Sequence, residues 1–189
     1  MMSLCAIVCV AVFGGRYEFS AQAKIIAGCG LLVPADSAPF DPPRFSDYHV
    51  AATSGRPPAP VDERSDPRVR RFRTVLRQGA KHGPNFAGHF TIVGWGCGAS
   101  CLQFAIVDST SGRVSFPTGI KNVSTTHVGK DPGEGDVTFN ALRFRTDSNL
   151  LVVLGAINED DSSEGIRYYT WNGTTLVPIQ TILSRKQRC

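Results

Sequence analysis

The chain reads as an α+β domain: a mostly antiparallel β-sheet of about seven strands, arranged as hairpins and a meander and preceded by one amphipathic helix. Three observations carry that expectation. Residues 85–116, NFAGHFTIVGWGCGASCLQFAIVDSTSGRVSF, hold β-branched and aromatic runs broken by glycine-rich and Ser/Thr-rich turns. Runs of the same kind continue to residue 183, and a single arginine-rich stretch upstream spaces its apolar residues as a helix does. A length of 189 residues suits one domain with a sizeable core. With 42% hydrophobic and 19% charged residues, disorder throughout is excluded.

Taken in order, residues 1–23 form an expected signal peptide or leader. An apolar run at residues 4–15 precedes Ala21-Gln22-Ala23, a small-x-small cleavage site. The run is too short to cross a bilayer, where a helix needs roughly 20 apolar residues. A second small-residue site before Cys29 has the form of a lipoprotein box, so lipid anchoring at Cys29 is a lesser alternative. Residues 24–64 are rich in proline, including Pro42-Pro43 and Pro57-Pro58, and read as an extended arm with one short strand at 48–52.

The helix is expected to start near Asp66-Pro67, with Ser65 or Asp66 as cap, and to stop at Gly79. Val69, Phe72, Val75 and Leu76 share one face, opposite Arg70, Arg73 and Arg77. Strands follow at 90–94, 102–108, 113–116, 137–145, 150–156, 166–171 and 176–183, with Asn172-Gly173 the strongest hairpin signal. Within 102–107 both alternating sets are apolar, which predicts a sheet buried on both faces, one of them under the helix. The single domain spans 65–183, and 184–189 are a C-terminal tail.

Six cysteines occupy positions 5, 9, 29, 97, 101 and 189, and cleavage after Ala23 leaves an even four. Cys97 and Cys101 enclose Gly98-Ala99-Ser100, a turn small enough for a local disulfide. The other reading, a redox dithiol, fits less well, because such pairs have C-x-x-C spacing at a helix N-terminus. Pairing of Cys29 with Cys189 stays open. The cysteines and histidines do not supply the second pair a zinc site needs, so neither metal nor cofactor is expected. The acidic stretch 158–164 lacks the spacing of a calcium loop.

The strings Asn85-Phe86-Ala87-Gly88-His89-Phe90-Thr91-Ile92-Val93, Trp95-Gly96-Cys97-Gly98, Ser100-Cys101 and Ala105-Ile106-Val107-Asp108 resemble those of a group of small exported bacterial proteins. The resemblance runs from about residue 48 to residue 179. It implies export and one fold, and it supplies no activity and no catalytic residues.

Two functional classes remain. The first is an exported periplasmic or secreted binding or inhibitor-type module, with Trp95, Tyr168, Tyr169 and Trp171 meeting an envelope protein or glycan. The second is an envelope hydrolase or thiol enzyme using His89 with Cys97 and Cys101, Ser100 and Asp108 being spatial candidates. Binding is favoured over catalysis, since no G-x-S-x-G elbow or H-E-x-x-H pair accompanies the four histidines, His49, His82, His89 and His127. Six arginines between residues 64 and 77 raise nucleic acid as a partner, but no aromatic platform accompanies them and a solvated helix face is expected.

Overall fold

A computed structural model describes residues 24–53, 56–129 and 141–186. Among the described residues one α-helix, α1 (Val69–Ala80), accompanies nine strands. These are β1 (Lys24–Ile26), β2 (Phe90–Gly98), β3 (Cys101–Asp108), β4 (Val114–Ser115), β5 (Val123–Ser124), β6 (Leu142–Arg145), β7 (Ser148–Ile157), β8 (Gly165–Trp171) and β9 (Leu176–Ser184). The sheet path runs β1-β9-β8-β7-β5-β3-β2, with β4 added to β3 and β6 to β7. The expected α+β class holds, but the sheet is mixed, because β1 pairs with β9 in parallel, and it has more strands than predicted, β1 and β5 being the additions.

The double-sided burial predicted for residues 102–107 is present twice. Leu102, Phe104 and Ile106 of β3 face an inner core that also holds Leu151 and Val153 of β7, so the two halves of the sheet lie face to face. Ala105 and Val107 point the other way, onto Val69, Leu76 and Ala80 of α1. In β7 the alternate set Leu150, Val152 and Leu154 faces a third cluster, with Ile26 and Leu32 of the arm. Period-2 alternation with both sets apolar therefore produces a layered domain: helix, half-sheet, core, half-sheet, arm.

The described parts of the Pro-rich arm, residues 24–53 and 56–64, and residues 184–186 of the expected tail lie against the sheet and the helix. Two 3-10 turns, Pro34–Phe40 and Phe45–Tyr48, lay Phe40, Phe45 and Tyr48 against the outer face of β7 and β8. Tyr168 donates to Ser37 Oγ at 2.7 Å, and Ser148 Oγ donates to the Tyr48 carbonyl at 3.0 Å. Within the expected strand at 48–52, only an isolated bridge forms, His49 to Ser148. Ser184 ends β9, the Arg185 amide donates to Ile26, and Lys186 pairs with Asp36 at 2.8 Å. The leader, residues 1–23, lies outside the described residues.

The helix begins two residues later than its caps suggested. Asp66 Oδ1 accepts the Arg68 amide at 2.8 Å and its carboxylate also grips the Arg68 guanidinium, so it closes the turn before the helix. Gly79 is not the stop: it lies inside α1, where a Cβ would sit 2.5 Å from Val93 Cγ1. The chain leaves the helix through Gly83, whose φ of +82° is open to glycine. The β8–β9 hairpin forms as predicted, but through four residues, with Asn172 Oδ1 accepting the amides of Thr174 and Thr175.

Gly79→Ala ought to stabilise an isolated helix by about 1 kcal/mol. Here the added methyl collides with buried Val93, and a net loss of about 1–2 kcal/mol is expected in urea unfolding. A more stable variant would show that Val93 moves aside freely.

Candidate functional site

The NFAGHF segment is built for structure. Asn85 Oδ1 accepts the Ile92 amide at 2.7 Å while its Nδ2 donates to the Ile92 carbonyl at 3.1 Å, and Phe86 and Phe90 pair across the turn between them. The Gly88 amide donates to Thr146 at 2.7 Å, which docks this turn on the β6–β7 hairpin. His89 is half-exposed at the rim, its ring 4.2 Å from that of Phe90 and its Nε2 3.7 Å from Asp108 Oδ1. Asp108 in turn closes the β3–β4 turn, accepting the Thr110 amide at 2.8 Å, Thr110 Oγ1 at 2.6 Å and Ser111 Oγ at 2.7 Å. Burial works against charge on Asp108, but these donors and His89 outweigh it and hold the carboxyl below its usual range.

Cys97 and Cys101 form the predicted disulfide, with Cα atoms 5.1 Å apart. Residues 96–100 are all exposed, so the bridge closes a projecting tip. Register then decides the enzyme reading. Phe90 pairs with Asp108 at one end of the β2–β3 hairpin and Gly98 with Cys101 at the other. Eight residues of strand at about 3.3 Å each separate His89 from the cysteines by roughly 25 Å. The set His89, Cys97 and Cys101 is therefore not assembled, and Ser100 sits with the tip while Asp108 sits with His89. Cys29 is disulfide-bonded as well, and Cys189 lies outside the described residues.

The aromatic residues expected at a binding surface are mostly interior. Tyr168 and Trp171 are each 4% exposed, and Tyr169 packs against the inner core. The correction has a plain cause: β8 lies between β7 and β9 with both faces covered, so Tyr168 meets the arm and Trp171 meets Phe90 edge-on at 5.4 Å. Burial pushes the hydroxyls of Tyr168 and Tyr169 up, opposed by Ser37 in the first case and Arg167 in the second. Trp95 is half-buried, its ring 4.7 Å from Phe72 and its Nε1 donating to Gln103 at 2.9 Å.

A cleft that the sequence did not disclose lies beside the disulfide tip. The short strand β5 joins the half-sheets, pairing Ser124 with Cys101 on one side and with Ala156 on the other, and the Thr125 amide donates to Ser100 at 2.7 Å. β5 can approach β7 this closely because residue 155 is glycine: a Cβ there would run into the Ser124 carbonyl. A cavity of about 240 Å³ opens at this junction, lined by Ser124, Thr126, His127, Ala156, Asp161 and Glu164. His127 Nδ1 lies 3.3 Å from Oε2 of the largely buried Glu164, and the hydroxyls of Ser124 and Thr126 are 3.2 Å apart. Asp160 caps the 3-10 turn Asp161–Ser163 through the Ser162 amide at 3.0 Å. Buried Arg167 donates to the carbonyls of Ser163 and Gly155, bracing the loop that carries both cleft carboxylates.

Of the four histidines, His127 is thus the one placed in a cavity with a carboxylate, while His49 and His82 are exposed on the surface. The acidic stretch 158–164 is tied to residues 119–122: the Lys121 amide donates to Asn158 Oδ1 at 2.7 Å and Asn122 Nδ2 donates to Glu159 at 3.2 Å. Among the described residues no group of three or more His, Cys, Asp or Glu is disposed to hold a metal ion. Nor is any helix among them long and apolar enough to cross a membrane.

Two expectations follow. Asp108→Ala should cost about 1–2 kcal/mol near neutral pH. Because the folded carboxyl is shifted down, that contribution is complete above the unfolded value near 4 and disappears as pH falls through the lower folded value. The wild-type and variant curves of stability against pH must therefore converge in acid, and a gap that persists there contradicts an ionic role. Replacing Cys97 and Cys101 together by Ser should lower stability by about 2 kcal/mol, as suits so short a loop, and leave the far-UV circular dichroism unchanged. No protein-family model matches the chain, and neither does any curated protein or solved structure.

Proposed function

We propose that this is an exported binding domain that engages an envelope protein or glycan through the disulfide-closed tip and the cleft beside it. The observation that carries the reading is their adjacency: the bridged turn at residues 96–100 projects into solvent, and β5 sets the His127–Glu164 cleft directly against it. A covalently closed tip loses little freedom on binding, which favours affinity. The carboxylates of Asp161 and Glu164 accept hydrogen bonds, and the hydroxyls of Ser124 and Thr126 both donate and accept, a set suited to sugar hydroxyls or peptide amides. Disulfides persist in oxidising compartments, in keeping with the leader and with the resemblance to small exported proteins. Cleavage after Ala23 leaves β1 whole.

A second reading, an envelope hydrolase, moves from His89 to His127. A carboxylate at Nδ1 fixes the ring so that Nε2 is the basic nitrogen, facing a cleft that holds two hydroxyls.

Protein secreted to the envelope should carry Lys24 at its N-terminus by sequencing. Immobilised wild type should retain a stoichiometric partner from envelope extract, and Ala99→Arg at the tip and Glu164→Gln in the cleft should each lose it. Retention unchanged in both variants removes this face from the function. Turnover of a cell-wall or peptide substrate abolished by Glu164→Gln, with nothing retained, transfers the assignment to the hydrolase.

A further inference from the structure

Away from the tip, the Pro-rich segment and the C-terminal half of α1 enclose a second and larger depression of about 450 Å³, within the size range of small-molecule sites. Its walls are apolar: Pro58, Pro60 and Val61 on one side and Ala80 on the other. Its charged side chains are two cations, Arg77 and Lys81, on successive turns of one helix face. The wall is held in place by backbone bonds, Ala59 to the Ser109 carbonyl and Asp62 to the Gly112 carbonyl, each 2.8 Å. Arg77 is ion-paired with Glu63, whereas Lys81 is exposed and has no ion pair among the described residues.

Both cations lie at the end of α1, where helix carbonyls carry partial negative charge, and offsetting that charge is part of their role. It does not account for the excess. α1 contains no acidic residue, and Arg70, Arg71 and Arg73 are exposed along it with no ion pair among the described residues. The groove therefore carries one lysine without an ion pair among the described residues, on a helix whose net charge is positive.

We propose that this groove binds an anionic amphiphile, an acyl chain bearing a carboxylate or phosphate head. The chain lies against Pro58, Pro60, Val61 and Ala80, and the head meets Lys81 and the free edge of the Arg77 guanidinium. The apolar walls favour a ligand with a hydrocarbon part, and the cations favour an anionic head over a cationic one. Arg70, Arg71 and Arg73 raise the local concentration of the anion without touching it, so binding weakens with salt. The site is independent of the tip and its cleft.

The test is isothermal titration of the mature protein, at concentrations below micelle formation, with hexanoate, octanoate and decanoate, decyl phosphate, and decyltrimethylammonium. One saturable site is expected, with affinity rising about two- to fourfold per methylene. Binding of decanoate alone, or of both anions, identifies which head is taken. Lys81→Glu should weaken decanoate on the order of tenfold, while Lys121→Glu, an equal charge change elsewhere, should leave it unaltered; thermal melting verifies that both variants fold. Equal binding of decyltrimethylammonium, the absence of saturable heat, or indifference to Lys81→Glu overturns the proposal.

Discussion

Two strands, β3 and β7, carry apolar side chains on both faces, and the rest of the molecule is arranged to keep all four faces dry. Leaving Leu150, Val152 and Leu154 in water would cost about 1.5–3 kcal/mol for each side chain, more than a marginally stable domain can lose. The inner faces cover each other. The outer face of β3 takes the amphipathic helix, and the outer face of β7 takes the proline-rich arm. The arm is thus an integral layer whose prolines suit it to irregular, ordered backbone.

This constraint explains which parts were legible beforehand. Apolar alternation in residues 102–107 announces a doubly covered strand, and Val69, Phe72, Val75 and Leu76 announce the helix that covers it. The arginine-rich face is exposed for the same reason. The short strands β1 and β5 were not legible, since three and two residues carry no periodicity and exist only because a neighbour offers them a ladder. Tyr168 and Trp171 resemble interface residues in the sequence and become core residues once β8 is flanked on both edges. Gly79 looks like a helix stop, yet its lack of a side chain answers to Val93 across the interface. The His127 cleft had no local signature at all, because its lining comes from three separate segments.

The junction made by β5 has a second importance. Where the two half-sheets separate, Val123 and Ser124 alone among the described residues pair with both β3 and β7. Clefts form at such divergences, because side chains from both halves line the opening while neither half fills it. Gly155 and the brace from Arg167 keep the opening in shape. The same geometry that holds the halves together thus creates the concavity between them.

The parallel pairing of β1 with β9 also governs when the protein can fold. Lys24 lies against Ile182, Asp36 against Lys186, and Ser37 against Tyr168, so the arm has no surface to dock on until residues 165–186 are free to move. Contacts of such sequence separation make for slow folding. The arm is thus the layer that closes last, since the strands that receive it must be in place before it can lie down.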